Sequence, residues 1–217
     1  MDKIKTVIFD LDGTIANTLP LCIQAFRHSI EPLIGKSISD QEIIATFGPS
    51  EEGTISALAP DHYEQGVQNY LRNYETLHHI CPTPFEGIPE ILRDLKNNKV
   101  MLALVTGKGA LSANISLKLF DLLHFFDVIE TGSPDGPRKV EGIQTVLKHT
   151  PDTKKDQVIY IGDAPSDILA CREVGIPIVA AAWAETAEPD KLRALNPDYM
   201  FFEVSDFHQW LELLNAV

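Results

Sequence analysis

The chain has 217 residues, 44% of them hydrophobic and 23% charged, which suits one globular domain with room for an insertion. Its net charge of −13 excludes nucleic acid as a partner, and no apolar run approaches the roughly 20 residues of a membrane span. Three cysteines far apart, Cys22, Cys81 and Cys171, and an N-terminus without a signal-type apolar region point to a reduced, cytoplasmic setting. A protein this acidic that handled anions would need local cations: a lysine, a divalent metal or backbone N–H groups.

Thr6 to Phe9 reads as a buried parallel strand, followed at once by Asp10, Leu11, Asp12, Gly13 and Thr14. Two carboxylates at a strand end call for a cation, a proton or water, since an unpaired buried charge is costly. From Asn17 the pattern turns helical: Asn17 to Leu33, a start at Ser39 with Glu42 placed for a capping box, Glu51 to Leu58, and Asp61 to Leu77. Phe47-Gly48-Pro49-Ser50 reads as a turn, and no convincing strand lies between Ile15 and Phe85.

After Gly87 strands and helices alternate. Helices are expected at Ile88–Asn98, Leu111–Phe120, Glu141–His149, Ile168–Val174 and Asp206–Leu214. Strands are expected at Val100–Val105, Val128–Thr131, Gln157–Ile161 and Ile178–Ala182, with an edge strand at Pro197–Phe201. This rhythm predicts an α/β fold, a doubly wound, Rossmann-like parallel sheet. The 96 positions from Asp10 to Thr106 far exceed the roughly 30 of an ordinary strand-helix-strand unit. Residues 16–85 are therefore expected to form an inserted all-helical lid, with 1–15 and 86–217 forming the core.

Parallel strands present their carboxyl ends along one edge. Asp10 and Asp12, Thr106, Lys139, and Asp163 with Asp167 should thus converge on one crevice. Each has a plainer reading: Thr106 as a helix cap, Lys139 as a solvated charge, Asp163 and Asp167 as capping groups of a helix near Pro165. The histidines, including the adjacent His78 and His79, read as surface. Together, several carboxylates with no His or Cys nearby favour a hard cation, Mg²⁺ over zinc, which would also bind a substrate phosphate.

In this order and at these strand ends the residues resemble the phosphatase branch of the haloacid dehalogenase-like hydrolases. Within it the chain is similar to the phosphoglycolate phosphatase, pyrophosphatase and β-phosphoglucomutase-like group, whose helical insertion is called a C1 cap. The resemblance implies a Mg²⁺-dependent phosphatase acting on a small phosphorylated metabolite through an aspartyl-phosphate. It implies Asp10 as nucleophile, Asp12 as proton shuttle, and Thr106 and Lys139 completing the catalytic set. Metal would be held by Asp10, Asp12 through its main-chain carbonyl, and Asp163, with Asp167 holding a bound water or orienting Lys139. Substrate contacts would come from Gly13, Thr14, Thr106, Gly107, Lys108 and Lys139, and the segment Phe47 to Glu51 would face the site; Lys108 and Asn114 also read as solvated surface. The lysine departs from the family's Lys-Pro pattern, being followed by Val140 and Glu141, and Arg138 competes for its role. A phosphomutase shares all four signatures, although Thr14 leans toward a phosphatase. A phospho-accepting receiver module would need no lid and would carry its phosphorylated Asp on a middle strand.

Overall fold

The computed structural model describes residues 3–215. Strand β1 (Thr6–Phe9) lies in the middle of a six-stranded, all-parallel sheet with β2 (Met101–Val105), β3 (Val128–Glu130), β4 (Val158–Gly162), β5 (Ile178–Ala181) and β6 (Tyr199–Phe201). The spatial order is β3-β2-β1-β4-β5-β6, so the chain reverses its winding between β1 and β4. In register, Phe9 pairs with Leu104 on one side and Ile161 on the other, which brings the residues following β1, β2 and β4 to one edge. The doubly wound sheet expected from the alternating pattern is the one observed.

Alternation sorts each strand between two cores. Ile8, Ala103, Val105 and Tyr160 pack with α7 (Lys139–His149), α8 (Pro165–Val174) and α9 (Pro189–Ala194). Val7, Phe9, Leu102 and Leu104 pack with α5 (Ile88–Asn97), α6 (Ala110–Leu119) and α10 (Val204–Asn215). The short helix α9 lies where no helix was expected. Helices α7 and α8 begin earlier than their apolar periodicity suggests, so Lys139 stands in a first helical turn and not in a polar loop. All three cysteines are free and buried. No helix among the described residues is long and apolar enough to cross a membrane.

Between β1 and α5 every element is helical: α1 (Leu19–Ile34), α2 (Asp40–Ile44), α3 (Glu51–Leu58) and α4 (Tyr63–Thr76), with short 3-10 turns at Pro60–His62 and Leu77–Ile80. The capping box at α2 is present: Ser39 N–H donates to Glu42, whose own N–H donates to Ser39 Oγ. Helices α1 and α4 pack through Phe26 and Tyr70, ring centroids 4.4 Å apart. The two chain crossings into this segment are neighbours, with Phe85 N–H donating to the Ile15 carbonyl at 2.9 Å. Its apolar interior runs without a break into the core beneath, Tyr70, Tyr74 and Phe26 sharing one cluster with Phe9 and Leu117. His78 belongs to this junction and is buried, contrary to its reading as surface. Its Nε2 lies 3.0 Å from Ser116 Oγ on α6, and its ring packs edge-on to Tyr74 and Phe120. The aromatic face of α4 continues into that turn and carries the imidazole inward with it.

Candidate active site

Asp10 follows β1 directly and is buried. Its Oδ1 accepts the Leu11 N–H at 2.7 Å, and its Oδ2 accepts from Lys139 Nζ at 2.6 Å. The lysine reaches across from the first turn of α7 and also donates to Asp167 Oδ1. Arg138 does not take this place; it is half exposed and turned toward Glu130.

Asp167 is fully buried at the third position of α8. Its Oδ2 accepts the Ala164 N–H at 2.9 Å, a capping contact, while its Oδ1 lies 3.0 Å from the Tyr160 hydroxyl. That hydroxyl has one proton and two acceptors in reach, Asp167 and the Val105 carbonyl at 2.8 Å. Sequence reasoning missed Tyr160. The only signal for it is a polar tip on an inward strand position.

Asp163 follows β4 and faces Gly13 across the winding reversal. Gly13 has φ +75°, and a Cβ there would lie 2.0 Å from Asp163 Oδ2, so both backbone conformation and space require glycine. Thr14 is buried and does not line the cavity; its Oγ1 donates to Asp163 Oδ1 at 3.3 Å, although it was expected to touch substrate.

Oxygen atoms of Asp10, Asp163 and Asp167 all lie within 4.8 Å of one another. Burial, followed by repulsion from neighbouring carboxylates, holds the Asp163 carboxyl well above its ordinary value. The Asp10 carboxyl is raised as well, burial outweighing the pull of Lys139. Three acids against one lysine, offering oxygen donors alone, make a set that fits a hard divalent cation.

Asp12 looks away from this group. Thr18 Oγ1 donates to its Oδ1, and Lys108 Nζ is 3.5 Å from the same oxygen. Burial raises the Asp12 carboxyl despite the Lys108 charge and the Thr18 bond, so it holds a proton more readily than an exposed aspartate.

Lys108, read as solvated, is 4% exposed. Its Nζ lies 2.9 Å from Glu51 Oε1, 3.3 Å from Cys22 Sγ and 4.3 Å from the centre of the Tyr74 ring. Glu51 comes from the first residue of α3. Its other contacts are Ser112 Oγ at 2.6 Å and the Gly109 N–H at 2.5 Å, at the N-terminal end of α6. Burial alone would lower the lysine and raise the acid. The carboxylates of Asp12 and Glu51 keep Lys108 well above its ordinary value, and Lys108 with Ser112 keeps Glu51 below its own. A backbone bond ties the residue before α3 to the loop after β3, Ser50 N–H donating to the Ser133 carbonyl at 2.8 Å.

These groups surround one cavity of about 370 Å³. Asp10, Asp12, Gly13, Thr106, Gly107, Lys108, Lys139 and Asp163 line its floor, and Phe47, Gly48, Pro49 and Glu51 stand among the helical residues above.

Residues 7–181 match the haloacid dehalogenase-like hydrolase family. The chain belongs to that family. As a haloacid dehalogenase-like hydrolase it is 32% identical over 210 residues to a pyrophosphatase PpaX of Halalkalibacterium halodurans, covering 94% of this chain and 95% of that protein. A pyrophosphatase PpaX of Bacillus mycoides is 28% identical over 223 residues, covering 99% and 100%. The solved structure of a haloacid dehalogenase-like hydrolase from Streptococcus pneumoniae superposes with a TM-score of 0.76 at 29% identity, covering 95% of this chain and 98% of that one. The expectation of an enzyme of the phosphatase branch is met.

Proposed function

We propose that this hydrolase is a Mg²⁺-dependent phosphatase that passes a phosphoryl group from a small phosphate ester to water by way of Asp10. The observation that carries the reading is the meeting of Asp10, Asp163 and Lys139, with the buried Asp167 behind them, at a cavity that Asp12 also lines.

An Asp10 carboxylate oxygen attacks phosphorus, a bond forms between them, and the bond to the leaving oxygen breaks. Asp12 supplies the proton that the leaving oxygen takes. Water then attacks the aspartyl-phosphate, giving its proton to Asp12, and the Asp10–phosphorus bond breaks to release inorganic phosphate. Thr106 and the Gly107 N–H bind phosphoryl oxygens, and Lys139 holds Asp10 in place while balancing charge on the phosphoryl group. Asp10 and Asp163, with the Asp12 carbonyl, would hold Mg²⁺, which supplies positive charge to keep Asp10 ionised and to stabilise the transferring group. Asp167 orients Lys139. Residues 16–85 act as a lid that selects the leaving group and excludes bulk water during the first transfer.

Release of p-nitrophenol and phosphate from p-nitrophenyl phosphate, with and without Mg²⁺, tests the proposal. Metal-dependent release is expected, with a loss on the order of 10⁴-fold in Asp10→Asn. Equal rates in the variant and the parent protein would remove Asp10 from the nucleophile's role. Phosphate release also separates hydrolysis from a mutase, which returns the group to its sugar.

A further inference from the structure

One side chain spans the strand that leads to Asp10. Tyr160 lies on β4 and Val105 on β2, with β1 between them in the sheet. The Tyr160 hydroxyl crosses that gap to lie 2.8 Å from the Val105 carbonyl, and it also lies 3.0 Å from Asp167 Oδ1. The same Asp167 oxygen accepts from Lys139 Nζ, which in turn donates to Asp10 Oδ2 at 2.6 Å. Thr106, on the cavity floor, directly follows Val105. A single hydroxyl therefore links the end of β2 to the lysine that grips Asp10. Tyr160 and Asp167 are both fully buried. A Cβ at Gly162 would lie 2.5 Å from Asp167 Cγ and 2.7 Å from Tyr160 Cε1, so ring and carboxylate pack against bare backbone with little room to shift.

Resting on the phosphatase reading above, we propose that Tyr160 is a positioning residue for phosphoryl transfer. Its hydroxyl touches no reacting atom and acts through Asp167. The Ala164 N–H holds Asp167 Oδ2 at 2.9 Å, and the Tyr160 hydroxyl holds Oδ1. A carboxylate held at both oxygens cannot turn about its Cβ–Cγ bond, so it presents a fixed acceptor to Lys139. That matters because a lysine ammonium is a point charge on a flexible four-carbon stem and takes its position from its acceptors. Without the hydroxyl, Oδ1 is held by the lysine alone, and the two side chains can move together away from Asp10 and the transferring group. Small displacements of a group that serves the transition state are costly in rate.

Tyr160→Phe keeps the ring against Gly162 and removes one oxygen. With p-nitrophenyl phosphate at saturating Mg²⁺, kcat should fall about 10-fold, the worth of one hydrogen bond to a charged group, while KM stays within about twofold. The same change is then made in two further backgrounds, Asp167→Ala and Lys139→Met, each of which removes a link between the hydroxyl and Asp10. In either one, adding Tyr160→Phe should alter the remaining kcat by less than about twofold, since the route by which the hydroxyl acts is already cut. A hydroxyl that served packing alone would cost the same factor in all three proteins. An unchanged kcat in Tyr160→Phe, a loss carried by KM, or the full loss retained in both backgrounds overturns the proposal. Absence of Mg²⁺-dependent release from the parent protein removes the phosphatase reading instead, and this proposal with it.

Discussion

Lys108 is buried and Lys139 keeps only 13% of its side chain exposed, and both lie between carboxylates, yet they are held by different parts of the chain. The partners of Lys139, Asp10 after β1 and Asp167 on α8, belong to the sheet and its helices. The nearest partner of Lys108 is Glu51, which arrives from the helical segment, while Asp12 at 3.5 Å belongs to the sheet edge. The first cluster is complete whatever the helices above it do. The second depends on α3 sitting on the N-terminal end of α6, where Glu51 meets Gly109, Ser112 and Lys108. One lysine is held within the sheet and its helices, and the other by an ion pair between the sheet edge and the helical segment.

Breaking the inner cluster should have the larger effect. Lys139→Met leaves Asp10, Asp163 and Asp167 facing one another without their lysine. A stability loss of about 3–5 kcal/mol is expected without divalent cation, the usual cost of removing one partner from a buried charge group. Activity should fall on the order of 10²- to 10³-fold, as when one preorganised donor to a transition state is removed. Thermal unfolding with and without Mg²⁺ checks the first figure. The ion should restore part of the loss, because it takes over the same oxygens; no restoration would deny that the three carboxylates hold a cation.

The outer pair predicts a milder and differently shaped effect. Glu51→Gln keeps the bonds available from Ser112 and Gly109 but leaves Lys108 only the more distant Asp12. A loss of about 1–3 kcal/mol is expected. Pairing the change with Lys108→Met should recover stability, since an apolar side chain of similar length beside Tyr74 leaves no stranded charge. A double-mutant cycle by chemical denaturation measures this. Strictly additive losses would show that the two side chains do not act as a pair.

The same contrast explains what could be read from the residues alone. The inner cluster was legible because its members follow strand ends, and parallel strands bring their carboxyl ends to one edge regardless of the loops. Asp10 and Asp163 needed only the order of elements, whereas Lys139, nine positions past the end of β3, was chosen over Arg138 by the spacing of the family it resembles. Lys108 was misjudged because nothing local to Thr106-Gly107-Lys108-Gly109 reveals that a helix more than fifty positions earlier covers it. His78 depends on the same packing, through Ser116 on α6, whereas the segment from Phe47 to Glu51 was expected to face the site, and Phe47, Gly48, Pro49 and Glu51 line the cavity. Apolar periodicity located the helices but missed their polar first turns, which is why α7 was expected to begin after Lys139 and α8 after Asp167. The short α9 offered too few apolar positions to set a period.

Acidity separates the two clusters by sign, with the smallest expected change. Burial would raise Glu51, but Lys108 and Ser112 outweigh it and hold its carboxyl below the ordinary 4.5. Stability from a depressed carboxyl is present above its unfolded value and is lost as pH falls through the folded one. Asp163 behaves oppositely. Burial and its acidic neighbours raise it well above 3.8, so its contribution is lost as pH rises through that raised value. In the presence of a chelator, stability should therefore climb as pH is lowered from neutrality and then fall below about 4.5. Mg²⁺ should flatten the high-pH limb, where it replaces the proton among Asp10, Asp163 and Asp167. Glu51→Gln should flatten the low-pH limb and leave the other unchanged. Unfolding curves across pH, with and without Mg²⁺, distinguish the two. If Mg²⁺ flattened the acid limb, or Glu51→Gln the neutral one, the assignment of the neutral limb to Asp163 and of the acid limb to Glu51 would be overturned.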